Sequence, residues 1–320
     1  MNRIVISSEH DPYYNLALEE DLLKQVQQDE VILYIWQNEK TVVIGRNQNP
    51  YLECDVSQLS SNGVRLARRI SGGGAVYHDL GNVNFTFIYK ESNKDLEKQL
   101  NVIKKAVEAF DVAVELSGRN DLTIQGQKFS GHAFYAEDGN EFHHGTLMVD
   151  VDVNQLAKVL KPSKLKMEAK GITSVKSRVI NLKTLKPSFS VGKLIDSLMY
   201  YFEEDYGGTS KPLEYNSQCY KPKNLQKYKD PGWIYGECPK YDVMLERKAS
   251  LGIVQALLSV ENGKIKKLKI YTDSLSIVHN EQIEQQFIGM EFDQIREDKL
   301  WDTIEANVKL SSHRIGTVSG

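Results

Sequence analysis

Between Val64 and Tyr89 the chain reads VRLARRISGGGAVYHDLGNVNFTFIY, and no other stretch limits the possible folds as much. Val64–Arg68 and Asn82–Tyr89 are rich in β-branched and aromatic residues and predict strands. Between them Gly72, Gly73 and Gly74 remove successive Cβ atoms, so the backbone can take positive φ and lie close against a ligand. Amides of that kind beside the guanidinium groups of Arg68 and Arg69 predict an anion cradle. A glycine cluster by itself marks an ordinary turn just as well. Two features favour a site. The loop is long for a hairpin and carries Tyr77, His78 and Asp79. A second charged stretch punctuated by glycines, SGRNDLTIQGQKFSGHAFY, follows at Ser117–Tyr135.

Around this stretch the pattern is mixed. Arg3–Ser7, Val31–Trp36 and Thr41–Ile44 predict strands, the last two buried, and Val112–Leu116 another. Asp11 caps a helix that Pro12 opens; Tyr14, Leu18, Leu22 and Val26 recur at fourfold spacing, so one face packs on a core. Asp95–Phe110 carries the cleanest helical period, and Ser190–Tyr206 predicts another helix ending at Gly207. Lys161–Lys186, lysine-rich and weakly periodic, predicts a mobile functional segment. Thr209–Pro231 is polar and proline-marked, and reads as a linker around at most one short helix. The fold class expected is α+β: a mixed sheet with flanking helices, plus a small α+β C-terminal accessory domain. The expected division is 1–208 for the catalytic domain, 209–240 for the linker and 241–320 for the accessory domain.

A formal net charge of −3 over 320 residues argues against a general nucleic-acid binder and makes the local arginines site chemistry. Cys54, Cys219 and Cys238 show no CxxC spacing, which points to a reducing compartment without a disulfide framework or zinc site. The apolar run at the N-terminus is too short for a signal peptide and no segment spans a membrane, so a cytoplasmic location is expected.

Lys128, in GQKFSG between Gly126 and Gly131, is the leading catalytic candidate: an ammonium held there can bridge a carboxylate and a phosphate. Asn120 and Asp121 offer hard oxygen ligands for Mg2+, although by themselves the two residues read better as Asx capping of a turn. His143 and His144 are adjacent, so on a strand they face opposite sides; His144 is taken to point into the site. His78 and Trp36 each read as core or as site. Cys54 reads as a buried small hydrophobe rather than a nucleophile.

RRISGGGAVYHDLGN, GRNDL, QKFSG, FHHGTL and AKGITSVKSRVINL, in this order and spacing, resemble bacterial lipoate–protein ligases of the A type over essentially the whole chain. The resemblance implies a fold like that of biotin protein ligases with a small accessory domain. It implies that lipoate, or octanoate, attacks the α-phosphate of ATP, with Mg2+, to give lipoyl-AMP. A lysine of a lipoyl-domain protein, either a 2-oxoacid dehydrogenase E2 or a glycine-cleavage H protein, then takes the acyl group. Carried over, Arg69, Gly74, Ala75, Val76, Tyr77 and Lys128 would contact ATP. Trp36, Ser71, Gly72, Gly73, His78, Lys128 and His144 would bind lipoate, with Trp36 walling an apolar tunnel. Ala169–Lys183 would close over the adenylate. His132 departs from the pattern, which has a small polar residue there. The rival within this fold is an acyltransferase that takes octanoyl or lipoyl groups from a protein donor without ATP. A biotin ligase would carry its own glycine–arginine loop, and a non-catalytic lipoyl-domain binder would lack Lys128 or the lid.

Overall fold

The computed structural model describes residues 2–117, 121–161, 179–208, 211–236, 240–249, 252–274, 280–292 and 300–306. In chain order the strands are β1 (Arg3–Ser7), β2 (Val31–Trp36), β3 (Thr41–Ile44), β4 (Arg65–Arg68), β5 (Val76–His78) and β6 (Asn82–Lys90). They continue with β7 (Glu115–Ser117), β8 (Asp121–Ile124), β9 (Gln127–Lys128), β10 (Ser130–Glu137), β11 (Asn140–Met148) and β12 (Leu213–Tyr215). The last three are β13 (Val243–Ala249), β14 (Gly252–Glu261) and β15 (Lys264–Thr272). The main sheet runs β10-β11-β6-β2-β1-β12, with β1 parallel to both its neighbours and the other pairs antiparallel. It is therefore a mixed sheet, as expected.

Both faces of this sheet are covered, which is why VILYIW is apolar throughout rather than alternating. Val31, Leu33 and Ile35 face the helices Leu96–Glu108 and Val191–Tyr206 through Ile103, Val107, Leu198 and Phe202. Ile32, Tyr34 and Trp36 face the helix Pro12–Gln25, whose N-cap Asp11 accepts from the Tyr13 amide. The two strands flanking the glycine loop do not form a hairpin. β4 and β5 lie on either side of β3 in a separate sheet, whereas β6 sits in the main one. The chain thus passes between sheets at the loop.

The stretch expected to be a linker is docked instead. It holds β12, which extends the main sheet, and the short helices Leu225–Lys229 and Pro231–Tyr235. The reason lies in Pro12–Gln25, where Glu20 and Asp21 are buried and need partners. Glu20 receives Asn224, Lys227 and the Tyr228 hydroxyl; Asp21 receives the Tyr220 hydroxyl and the Lys223 amide. The helix is therefore buried nearly all round rather than on one face.

A separate apolar core built from β14, β15, the helix Asn280–Phe287 and residues Leu300, Trp301 and Ile304 occupies the C-terminal part. It meets the glycine-loop region through two backbone bonds: the Thr272 amide donates to Asn47 O and the Gly73 amide to Ser274 O, both at 3.0 Å.

Candidate active site

Arg69 organises the glycine loop from the inside. Its Nε donates to Ser71 Oγ (3.0 Å), and its Nη2 to Gly72 O (2.7 Å) and Gly74 O (2.8 Å). In a trans peptide the N–H points opposite to the C=O. Drawing the Gly72 and Gly74 carbonyls onto Arg69 therefore turns the Gly73 and Ala75 amides away from it; that of Gly73 is taken by Ser274 O, and Ala75 is half-exposed. The turn brings the Gly72–Gly73 backbone so close to Gly45 that a Cβ there would overlap the Gly73 carbonyl oxygen. Burial lowers the Arg69 pKa to about 10, and the Glu19 carboxyl opposes that shift. The expected pair of free guanidinium groups is not what the loop presents. Arg68 is also buried, its Nη1 on the carbonyls of Gly45, Arg46 and Gln48 and its Nε on those of Trp233 and Ile234. It fastens the loop to the docked segment. Arg65 is exposed and faces Asp11 and Glu39.

Strand register lays out the facing wall. On one side of the main sheet Tyr34, Thr86 and His144 form a row across β2, β6 and β11; Trp36, Asn84, Thr146 and Gly131 form the next row and reach β10. The first row carries a buried polar chain. Ser71 Oγ lies 2.9 Å from His144 Nε2, and His144 Nδ1 lies 2.8 Å from Glu19 Oε1. The Thr86 hydroxyl donates to that same oxygen at 2.7 Å and accepts Trp36 Nε1–H at 3.1 Å. The second row contains a donor, Asn84 Nδ2, that is buried without a partner among the described residues. Ser71, His144 and Glu19 follow one another in the order of an acyl-transfer triad. Ser71 is nevertheless fully buried and its oxygen holds Arg69 Nε–H, so the chain fixes the loop against the sheet.

Lys128 stands at the end of the second row. Gln125 and Gly126, both with positive φ, make the two-residue turn between β8 and β9 that sets it in place. Its carbonyl accepts the Ile180 amide and the neighbouring Phe129 is fully buried, so the backbone is held on both sides. The half-buried side chain lies over Gly131: a Cβ there would meet Lys128 Cε at 3.5 Å, Thr146 Oγ1 at 3.6 Å and Lys128 Nζ at 3.7 Å. Lys128 thus shares a face of the sheet with Thr146 and His144.

His78 is buried beside this wall, edge-on to Trp36 at 6.1 Å. Burial, and then the neighbouring Arg69 and His144, lower its pKa to about 3, so the ring is neutral. The structure therefore brings together Trp36, Ser71, Gly72, Gly73, His78 and His144, with Arg69 behind the loop and Lys128 at the end of the wall. Gly74, Ala75 and Val76 are half-exposed, and β5 is an edge strand. Tyr77 is not brought to that side: its ring packs with Val42, Ile44 and Leu66, because neighbouring strand residues point opposite ways.

His143 does face away from His144. It stacks on Phe87 and Phe134 and lies 2.8 Å from His132, with its pKa held well below the usual value by burial. His132, the departure from the family pattern, belongs to that opposite face. Cys54 is buried and its thiol is pushed up to about 12 by burial, as a small hydrophobe would be. Asn120 and the side chain of Asp121 lie outside the described residues, as do residues 169–178 of the lid expected over Ala169–Lys183. Val179–Lys183, the end of that stretch, is anchored: Val179 bridges to Lys128, and Asn181 bonds both the amide and the carbonyl of Val151. Among the described residues no group of three His, Cys, Asp or Glu side chains is placed to hold a metal, and no helix is long and apolar enough to cross a membrane.

Sequence reasoning missed Glu19, Thr86 and Asn84, and with them Asn38, whose Nδ2 lies 3.1 Å from His78 Nδ1. The run of acids Glu19–Asp21 inside an apolar helix was the available signal, since unpaired surface acids seldom sit in the middle of LALEEDLL.

Residues 11–203 match the model of the lipoyl protein ligase A/B catalytic domain, and 238–313 match that of the bacterial lipoate protein ligase C-terminus. A lipoate-protein ligase A of Blochmanniella pennsylvanica is 37% identical over 300 residues, covering 91% of this chain and 88% of the relative. A crystal structure of P. falciparum LipL1 in complex with lipoate is similar with a TM-score of 0.78 at 27% identity, covering 96% of this chain and 98% of that one. A bipartite lipoate protein ligase of Thermoplasma acidophilum, described with its E2 lipoyl domain, has a TM-score of 0.63 at 26% identity, covering 76% and 99%.

Proposed function

The chain belongs to the lipoyl protein ligase A/B family, and on that premise we propose that it is an ATP-dependent ligase making and using an acyl-adenylate. The observation that carries this reading is the glycine loop, whose Ala75 amide is turned away from Arg69 opposite a wall ending in Lys128. An apolar acid lies along the Trp36 side of that wall with its carboxylate toward Lys128. Burial of its chain contributes ~0.8 kcal/mol per CH2, and the charged head fixes direction.

In the first step a carboxylate oxygen of lipoate or octanoate attacks the α-phosphorus of ATP. The bond to the β-phosphate breaks and pyrophosphate leaves. Lys128 is positively charged beside both reactants, and it stabilises the charge that builds on the α-phosphoryl oxygens. The Ala75 amide of the loop holds the same anion, and Arg69 keeps it in place. In the second step the neutral amine of an acceptor lysine attacks the acyl carbonyl, the amide forms and AMP leaves. The acceptor is a lipoyl-domain protein; the Thermoplasma ligase described with its E2 lipoyl domain supports that class, whether E2 or H protein. Mg2+ would neutralise the departing pyrophosphate, held by Asn120 and Asp121 as the family pattern implies. Cys54, buried and protonated, is not suited to carry an acyl group, which disfavours a transferase working through that thiol. Incubating the protein with ATP, Mg2+, octanoate and a lipoyl domain tests this reading. Mass spectrometry should find an octanoyl adduct on one acceptor lysine and none when ATP is omitted. Transfer from an acylated donor protein without ATP would replace it with the transferase reading.

A further inference from the structure

Thr146 lies on β11 opposite Gly131 of β10 and Asn84 of β6, on the face that carries Lys128. Its hydroxyl oxygen accepts the Gly131 amide at 3.2 Å. A hydroxyl offers one proton and two lone pairs, so this bond uses a lone pair and leaves the proton to donate elsewhere. No acceptor meets that proton among the described residues. The other donors of this face are committed. Thr86 donates to Glu19, the Tyr34 hydroxyl to Asn15, and Ser71 Oγ meets His144 and Arg69. Both ring nitrogens of His144 are taken, by Ser71 and Glu19.

Thr146, Gly131 and Lys128 are half-buried, whereas Trp36 and Asn84 are buried, so the free hydroxyl stands at the accessible end of the wall. Gly131 leaves room there for a ligand atom. The point its Cβ would take lies 3.6 Å from Thr146 Oγ1 and 3.7 Å from Lys128 Nζ, so ammonium and hydroxyl border one spot. Strand propensity explains a β-branched residue on β11, and valine would serve it equally. Nor does Gly131 require the hydroxyl. β10 is an edge strand and Gly131 is half-exposed, so water can meet its amide.

We propose that Thr146 is a catalytic residue of the transfer step, forming with Lys128 a two-donor oxyanion site for the acyl carbonyl of the acyl-adenylate, an intermediate whose identity rests on the ligase reading. As the neutral amine of the acceptor lysine bonds to the acyl carbon, the π pair of the carbonyl moves onto its oxygen. The Thr146 hydroxyl and the Lys128 ammonium hold that charge. The C=O then re-forms, the bond from the acyl carbon to the phosphate oxygen breaks, AMP leaves with the electron pair, and the extra proton on nitrogen passes to water. A donor binds the oxyanion more strongly than the carbonyl, so it lowers this barrier. Adenylation runs the other way. The carboxylate starts charged and loses charge as it attacks phosphorus, so a donor on it favours the ground state and gives no acceleration. Loss of the hydroxyl should therefore separate the two steps.

Thr146→Val keeps the branched shape and removes the hydroxyl, and Thr146→Ser keeps the hydroxyl. Each is assayed for the pyrophosphate burst with ATP, Mg2+ and saturating octanoate, and for single-turnover transfer from preformed octanoyl-AMP to a lipoyl domain. Thr146→Val should give an undiminished burst and transfer about 10²–10³-fold more slowly, the effect of removing one oxyanion donor. Thr146→Ser should recover most of the transfer rate. Transfer by Thr146→Val at the wild-type rate overturns the proposal. A joint loss of burst and transfer also overturns it, and would make the hydroxyl a support for the strands through Gly131. If wild type transfers from octanoyl-AMP but gives no burst with ATP, the ligase reading falls and the transfer rates alone judge Thr146.

Discussion

Replacing Glu19 separates packing from hydrogen bonding at the centre of the molecule. Its Oε1 accepts the Thr86 hydroxyl and lies 2.8 Å from His144 Nδ1, inside a wall that excludes water. Glu19→Ala leaves both donors buried and unpaired, at about 1–3 kcal/mol each, so the loss should be about 2–6 kcal/mol. Glu19→Gln keeps a carbonyl oxygen at the same place, and its NH2 falls where Oε2, which has no partner among the described residues, now sits. That variant should lose about 1 kcal/mol, the difference between an ordinary and a charge-assisted bond. Urea unfolding followed by tryptophan fluorescence and by circular dichroism checks this, with coincident curves required before a single free energy is drawn from them. In the acid-binding assay the alanine variant should also weaken octanoate, because Ser71 and the glycine loop lose their hold on the sheet through His144. Equal losses for alanine and glutamine would mean that the carboxyl oxygen does not hold Thr86 and His144 together, and would refute the network.

Other perturbations have equally definite outcomes. His78 and His143 have folded pKa values below the unfolded one near 6.5, so the stability each contributes is complete above that pH and is lost on acidification, down to about 3 for His78. Each steepens the acid side by about 1.4 kcal/mol per pH unit, and denaturation midpoints in His143→Gln should show about half the combined slope. Lys128→Ala should keep its circular dichroism spectrum and lose acyl-adenylate formation; retained adenylation would remove Lys128 from its role. Trp36→Ala should weaken octanoate and admit bulkier acids, whereas Trp36→Phe, which only removes the donor to Thr86, should cost about 1 kcal/mol of stability. An unchanged acid preference in Trp36→Ala would place the ring in the core alone.

Much of the frame was legible because the periods are strong. The alternation in β6 and β11 and the apolar β2 mark a sheet covered on both faces, and adjacency alone sends His143 and His144 to opposite sides. Glu19 was not legible, because a helix pattern read at fourfold spacing from Tyr14 assigns it to solvent. Its partners Thr86 and His144 come from distant strands, and the docking of Tyr220–Tyr235 covers the neighbouring Glu20 and Asp21. Arg68 was misread for a related reason: its carbonyl partners at Trp233 and Ile234 are invisible in local sequence. Asn15 and Asn38 look like ordinary polar residues until three segments converge on His78. The setting of Lys128 was legible because its two-residue turn and flanking glycines are local features.

The measurement that bears most directly on the account is pyrophosphate release by the purified protein given ATP, Mg2+ and lipoate, first alone and then with a lipoyl domain. The account predicts one pyrophosphate per active site without acceptor, held as lipoyl-AMP, and continued release coupled to acceptor modification once the domain is added. Absence of pyrophosphate under both conditions, with acyl transfer from a lipoylated donor protein in the absence of ATP, would contradict it.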